Sequence, residues 1–354
     1  IIRQASVTAI SIDLLVASVL PLILCLILCR FFSPLKSWRP GFAIAPFAIV
    51  SGLAFTLPAY LVARFLGPEF PSLLGALCGL VIVSSLVRKG ILLPTLAWQF
   101  IDHKQKNEAP GVSGPGADMG LLRAWSPYLI VALLLVISRL NLLPVKAFLQ
   151  SATLTWNDIL SSGISASVAP LYLPGTLFLL ACLSTLALQG LTVSQLADSM
   201  KTSASTLKGA VISLAAAVPM VRVFLNSSDN QAQLASMPME LAQLAVSQLS
   251  QHWTWFAPFI GALGSFIAGS ATFSNMMFAS LQQSVAAQSG TPEHLILALQ
   301  MLGANAGNMI CVVNVVAAAS VVRISGQEGR IISYTLLPML YYCLAAGTAA
   351  WLFF

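Results

Sequence analysis

Residues 261–281 read GALGSFIAGSATFSNMMFASL. The run is apolar enough to enter a bilayer. Yet Gly261, Gly264 and Gly269 weaken helix continuity, and Ser270, Thr272, Ser274 and Asn275 offer side-chain hydrogen bonds that compete with the backbone ladder. A flexible, polar interruption in a greasy segment needs surroundings that satisfy it, and the nature of those surroundings decides the fold.

Composition supplies the solvent. Of 354 residues, 58% are hydrophobic and 8% charged, against about 25% charged in ordinary soluble domains. A soluble core of this size cannot hide that much apolar surface. Apolar segments run over 9–29, 41–63, 71–87, 126–141, 171–189, 206–225, 253–287, 293–322 and 331–354, and several approach the ~20 residues that a spanning helix requires. The prediction is an all-α polytopic membrane protein with about eight transmembrane helices plus one re-entrant helical hairpin. The connection 142–170 predicts a short amphipathic helix near Trp156, and 226–252 is rich in Gln and Ser.

The formal net charge of +6 is not a nucleic-acid signal, because basic residues sit in short clusters such as Arg88 and Lys89, with no aromatic-interleaved patch. Positive-inside topology accounts for it. Connections 30–40, 88–125, 190–208 and 323–330 hold 12 of the 17 Lys and Arg residues, which assigns them to the cytoplasmic side. Within 88–125, DHKQKNEAPGVSGPGAD combines charge with a Gly/Pro run and reads as a cytoplasmic loop. The six cysteines lie in apolar segments without metal-ligand or secreted-disulfide spacing, so packing is their expected role. The chain begins IIRQASV, without a methionine or a signal-peptide pattern, and reads as the continuation of something longer.

This charge pattern constrains the opening stretch. Were 253–287 one ordinary span, Arg323 and Arg330 would face outward. A hairpin over 253–287 that enters from the outer side and returns to it removes the conflict, and two half-length legs suit its length. A non-helical tip at membrane depth is tolerated only where protein covers it or it lines a wet cavity. The segment 293–322 is predicted to be a broken helix, since Gly303, Asn305, Gly307, Asn308 and Asn314 fall near its middle. A hairpin tip meeting a broken helix is how secondary transporters build substrate sites, because half-helix N-termini favour anionic groups. The competing reading of the small residues is close helix packing, which is preferred for Gly75 and Gly79 and stays open for Gly303 and Gly307.

Enzyme chemistry finds no support. His103, His252 and His294 have no metalloprotease spacing, and neither a G-x-S-x-G elbow nor a P-loop occurs. Asp13 is the single acid within a confident span, near the edge of its segment, so no buried aspartate pair is available. Asp13, Arg64, Arg139 and Arg222 lie near segment ends where snorkelling to the interface explains them. Arg222, inside an apolar run after AVPMV, is the one placed to pair with a carboxylate substrate.

GSATFSNMMFASLQ, then GANAGNMICVVNVVAAASVV, then GQEGRIISYTLLP resemble the C-terminal half of the L-lactate permease family. IVSGLAFTLPAYLVARFLGPEFPSLLGAL, WSPYLIVALLL and LYLPGT resemble the same family upstream, in the same order. The resemblance implies a secondary transporter of inverted-repeat architecture in the bacterial inner membrane, importing lactate, and in some cases glycolate, with protons. It also implies that residues 1–354 form a single membrane transport domain lacking an N-terminal repeat. Two residues depart from the family pattern. Ala271 stands where a polar residue is usual, removing a side-chain ligand, and Val313 stands where a histidine that could assist proton coupling often precedes the asparagine.

The expected substrate is a small 2-hydroxymonocarboxylate held between the tip and the break. Its expected ligands are Gly269, Ser270, Thr272, Ser274, Asn275, Asn305, Gly307, Asn308, Asn314 and Arg222. No cofactor is expected, the coupling ion being a proton, with sodium as the alternative. The lipid bilayer, the carboxylate and a second copy of the chain are the candidate partners, and nucleic acid is not among them. Two other readings stay open: a sodium-coupled carrier of another organic anion, and a non-transporting membrane scaffold or sensor.

Overall fold

The structure is a computed structural model, and it describes residues 1–33, 36–94, 120–139, 144–158, 165–204, 215, 219–220, 223, 227–228, 230–249, 252–321 and 326–354. Helices account for nearly all of these. In chain order they are α1 (Ile2–Val16), α2 (Leu20–Ile27), α3 (Arg39–Ala43), α4 (Ala45–Phe65), α5 (Pro71–Arg88), α6 (Leu121–Arg139), α7 (Val145–Ser151), α8 (Pro174–Gln189), α9 (Met237–Leu249), α10 (Trp253–Ala268), α11 (Ala271–Ser289), α12 (Glu293–Gly307), α13 (Val312–Val321) and α14 (Glu328–Phe353). Among the described residues five helical runs are long and apolar enough to cross a membrane: Ile2–Phe32, Ala45–Phe65, Pro71–Arg88, Glu293–Ala319 and Glu328–Phe353. Arg123–Ser138, Pro174–Gln189 and Trp253–Ala268 are shorter apolar helices.

The chain divides into two compact units, one formed by residues 1–102 and 213–354 and the other by 103–212. In the smaller unit α6 packs on α8, and the Arg123 guanidinium donates to the Leu188 carbonyl near the end of α8. The connection 142–170 holds a short helix, α7, as the sequence suggested, but Trp156 itself lies beyond its end. Helix α7 ends at Ser151, and Leu154–Trp156 pairs antiparallel with Ala166–Val168 as strands β1 and β2, Trp156 opposite Ala166. The run Thr153–Trp156 is dominated by β-branched and aromatic residues, which favour the extended ribbon over another helical turn.

The larger unit is built around α12, whose Ile296, Ala298, Leu299, Leu302, Ala304 and Ala306 are buried. Its closest neighbour is α10, which runs parallel to it. A Cβ on Gly303 would overlap the Pro258 carbonyl, one on Gly307 the Ala262 carbonyl, and one on Gly261 the Gln300 carbonyl, so the two backbones touch. Ser265 Oγ donates to the Ala304 carbonyl at 2.6 Å across the same contact. Helix α11 returns antiparallel to α10, with Ser274 against Gly261 and Gln282 against Ala257. Helix α14 is antiparallel to α10, with Cys343 Sγ 3.8 Å from the Pro258 carbonyl and Gly347 against Thr254 and Trp255. Helix α1 packs on α12 and runs antiparallel to α14 and to α4, where Ser18 Oγ and Thr56 Oγ1 lie 2.7 Å apart. Gly75 and Gly79 seat α5 against Phe55 and Ala59 of α4.

The run Ile2–Phe32 is 31 residues long and begins seven residues earlier than the apolar segment read from the sequence. The polar residues Ser6 and Thr8 that masked its start are buried against protein and face no lipid. Asp13 therefore stands about 16 Å along the run at about 1.5 Å per residue, deep within it and not at its edge.

Overpacking a backbone contact costs roughly 1–3 kcal/mol or more. Gly303→Val should therefore lower the detergent-solubilised protein's melting temperature by several degrees, whereas Gly329→Ala, where an added Cβ meets nothing within 4 Å, should leave it unchanged or slightly raised. Differential scanning fluorimetry compares the two.

Candidate functional site

Helix α10 ends at Gly269, whose φ of 75° lies in the left-handed region that favours glycine. Ser270 is extended at the cap of α11, and the chain reverses within these two residues. Helix α12 stops at Gly307. The amides of Asn308, Met309 and Ile310 donate to the carbonyls of Asn305, Ala306 and Gly307 at 3.2, 3.0 and 3.2 Å, a tight three-residue turn. Helix α13 starts afresh at Val312. A Cβ on Gly269 would lie 3.4 Å from Val313 and 3.6 Å from Cys311 Sγ, so the reversal between α10 and α11 sits against the first turn of α13. The start of α11 and the start of α13 thus meet. At a helix start the first N–H groups have no intrahelical acceptor, and the backbone dipoles present a partial positive charge. Asn314 Nδ2 donates to Asn308 Oδ1 at 3.3 Å and bridges the interruption.

Behind the tip runs a continuous chain of buried amides. Trp253 Nε1 donates to Gln282 Oε1 at 2.7 Å; Gln282 Nε2 donates to the Ala257 carbonyl at 3.1 Å and to Gln300 Oε1 at 2.9 Å. Gln300 Nε2 reaches Ser274 Oγ at 3.1 Å and Asn275 Oδ1 at 3.4 Å, and Ser274 Oγ donates to the Gly261 carbonyl at 2.6 Å. Gln282, Gln300 and Ser274 are 0%, 1% and 0% exposed, so each bond replaces one that water would otherwise make.

The residues expected at the site are therefore divided among several roles. Gly269, Asn308 and Asn314 gather where the tip meets the break, with Ser270 partly buried at the cap of α11. Thr272 is exposed on the first turn of α11. Ser274 and Asn275 turn inward to the amide chain, and Gly307 is a packing glycine. Asn305 lies on another face of α12, lining a separate cavity. Arg222 lies outside the described residues, as do residues 95–119 of the connection 88–125.

Gln282 and Gln300 were not singled out from the sequence. The signal was present: a carboxamide in HLILALQMLG is expensive in lipid and requires a protein partner. The sequence places Asp13 near the edge of its segment. It is partly buried, accepts a hydrogen bond from the Tyr342 hydroxyl, and lines a cavity of about 370 Å³ between α1, α4, α12 and α14, which Asn305 also lines.

An array of apolar helices with prolines inside α4, α10 and α14, packed through glycines around a polar helical hairpin and an interrupted helix, defines a multi-pass membrane protein. The family model of the L-lactate permeases matches residues 2–354, and the chain belongs to that family. A putative L-lactate permease of Haemophilus influenzae is 30% identical over 86% of this chain and 58% of its own length. The L-lactate permease of Escherichia coli K12 is 26% identical over 93% of this chain and 61% of its own, and the glycolate permease GlcA of the same strain 23% over 88% and 59%. The chain thus spans about three-fifths of the length of the curated relatives it matches. No solved structure matches it. With bacterial relatives and many apolar helices, it is a multi-pass protein of the bacterial inner membrane.

Breaking one link of the amide chain leaves buried donors and acceptors unsatisfied, at about 1–3 kcal/mol. Gln300→Leu should therefore destabilise the protein markedly. The double variant Gln282→Leu/Gln300→Leu should lose clearly less than the sum of the two single changes, since the residues share a bond. Thermal melts of the three variants form the cycle.

Proposed function

We propose that the protein is a secondary active transporter that imports a small 2-hydroxymonocarboxylate, lactate or glycolate, together with protons. The observation that carries this reading is the meeting of two helix starts at one place, the tip at Gly269–Ser270 and the break before Val312, in a chain whose relatives are named lactate and glycolate permeases. A carboxylate in a low-dielectric site needs several donors. Here the first-turn amides of α11 and α13, the Ser270 and Thr272 hydroxyls and the carboxamides of Asn308 and Asn314 are the groups available. They bind and orient an anion and offer no nucleophile with a base in reach, so the activity is translocation without bond-making.

Helix directions support the topology that this reading needs. Helices α1, α10 and α12 run one way and α4, α11 and α14 the other, and Tyr334 near the start of α14 packs on Phe31 and Phe32 beside Arg30. The described basic residues Arg30 and Arg330 of the connections 30–40 and 323–330 thereby fall at the same end of this unit, as residues of cytoplasmic connections should. The hairpin α10–α11 then enters from and returns to the outer side. Its legs of 16 and 19 residues rise about 24 and 28 Å, longer than half-span legs. Alternating access follows from movement of the hairpin region relative to the remaining helices.

The direct test is uptake of labelled L-lactate and glycolate by proteoliposomes holding the full-length protein under an inward proton gradient. Accumulation that collapses with a protonophore is expected; absence of gradient-driven uptake for any 2-hydroxy acid rejects the reading. Asn308→Leu and Asn314→Leu, which remove amide donors at the break, should each raise the half-saturating substrate concentration about tenfold, the scale of one hydrogen bond to a charged group.

A further inference from the structure

Among the described residues Asp13 is the one carboxylate in the apolar helical runs of the larger unit that does not stand at a run's first residue, and it faces a cavity. Its surroundings are asymmetric. From α14 the Tyr342 hydroxyl donates to Oδ1, while Tyr341 is occupied with the Val16 carbonyl and Cys343 turns away toward Pro258. From α4 the cavity receives Phe55, Thr56 and Ala59, from α12 Met301, Leu302, Asn305 and Ala306, and from the turn after α12 Met309, so none of these brings an ionisable group to it. The residues before and at the start of α5 add Pro68, Pro71 and Ser72. The cations on the packed helices are Arg3 on α1, Arg64 on α4 and Arg330 at the start of α14. They sit at the helix ends, where Arg3 Nη2 donates to the Arg64 carbonyl at 2.7 Å and Arg64 Nη1 to the Tyr60 hydroxyl at 3.0 Å. No described residue gives Asp13 a cationic partner.

An ionised carboxylate held at membrane depth by a single hydroxyl is poorly compensated, and such groups in membrane proteins mark ion pathways by default. Three features distinguish this one from a residue that merely closes a helix contact. It opens on a cavity of about 370 Å³ large enough for water. Its hydrogen-bond partner is a tyrosine hydroxyl and not a cation. It bridges α1 to α14, both of which also pack on α12, the helix that carries the break.

We propose that Asp13 is the proton-carrying group of the transport cycle, taking up one proton from the cavity in one orientation of the protein and releasing it to the opposite side in the other. This rests on the reading of the protein as a proton-coupled transporter. The carboxylate binds H⁺ to become the neutral acid, the form in which the closed interior is crossed without an unpaired charge; loss of the same proton regenerates the carboxylate. Tyr342 is a positioning residue whose hydroxyl holds the carboxyl rotamer.

The test uses the full-length protein in proteoliposomes and separates two modes. Asp13→Asn should reduce proton-gradient-driven accumulation of labelled lactate by about tenfold or more, the scale of a typical coupling free energy, while lactate exchange at equal pH on both faces continues near the wild-type rate. Asp13→Glu, which keeps the carboxyl, should restore gradient-driven uptake with a displaced pH profile. Tyr342→Phe should retain uptake and displace that profile too. Wild-type accumulation by Asp13→Asn overturns the proposal, as does loss of exchange together with uptake in both Asp13 variants, which makes the residue structural. Uptake driven in the wild type by a sodium gradient and indifferent to pH overturns it as well. Failure of the wild type to exchange or accumulate any 2-hydroxy acid removes the underlying functional reading instead, and the wild-type control reports that separately.

Discussion

Lipid offers no hydrogen bonds, so every polar group that this chain carries to membrane depth must find its partner in protein. The backbone contact between α10 and α12 is where that constraint is met. Gly261, Gly303 and Gly307 let the two helices approach until carbonyls lie where side chains would stand, which brings Ser265 to the Ala304 carbonyl and seats α11 against both. Pro258 contributes as well: lacking an N–H, it leaves the Thr254 carbonyl without its usual intrahelical donor, and Gly347 of α14 approaches at that turn. Helix α11 is too polar to sit in lipid unaided, and Gln282 and Gln300 are buried only because each completes the other's hydrogen bonds. Separate α10 from α12 by the width of a methyl group and the amide chain, the tip and the break lose their register together.

Much of this architecture was legible in the sequence because it follows from one-dimensional constraints. Apolar run length locates helices, Lys and Arg placement orients them, and the Gly and Asn clusters at 269–275 and 303–308 mark where helical continuity fails. Asn308, Asn314 and Gly269 do lie together at the interruption. The glycines at 303 and 307 divide the two readings that the pattern allowed. They pack helices, and the asparagine between and after them supplies the polar surface. Composition alone cannot separate those roles, since a glycine that opens space for a ligand and one that admits a carbonyl read the same.

What the sequence hid depends on pairings across the chain. Ser274 and Asn275 look like free polar ligands until Gln300, 26 and 25 residues away, is found to occupy them. Hydropathy discounts residues 2–8 as interfacial because they contain Arg3, Gln4, Ser6 and Thr8, yet Ser6 and Thr8 are buried by protein. A short error in where a helix begins moved Asp13 from depth to edge, and with it the chemical meaning of the one carboxylate in that run. The sequence places a short helix near Trp156 because an apolar aromatic in a polar connection fits an interfacial helix, and α7 ends five residues before it. The antiparallel pairing of 154–156 with 166–168 is a partner that local pattern does not reveal.

The proposed anion site and the proposed proton site share one structural element. Asn305 lines the Asp13 cavity and Asn308 stands at the break, three residues further along the end of α12, a rise of about 4.5 Å. The opposite face of the same helix is locked to α10 through backbone contact, so α12 cannot shift without carrying the tip's surroundings with it. A change in the charge of Asp13 alters the contact of α1 with α14, and both helices press on α12. Coupling between proton and carboxylate then requires no direct contact between them. It requires that a short, rigid helix has two arrangements and that each ligand favours the same one, and the interruption between Gly307 and Val312 is the place where such an element can bend without breaking the packed half that anchors it.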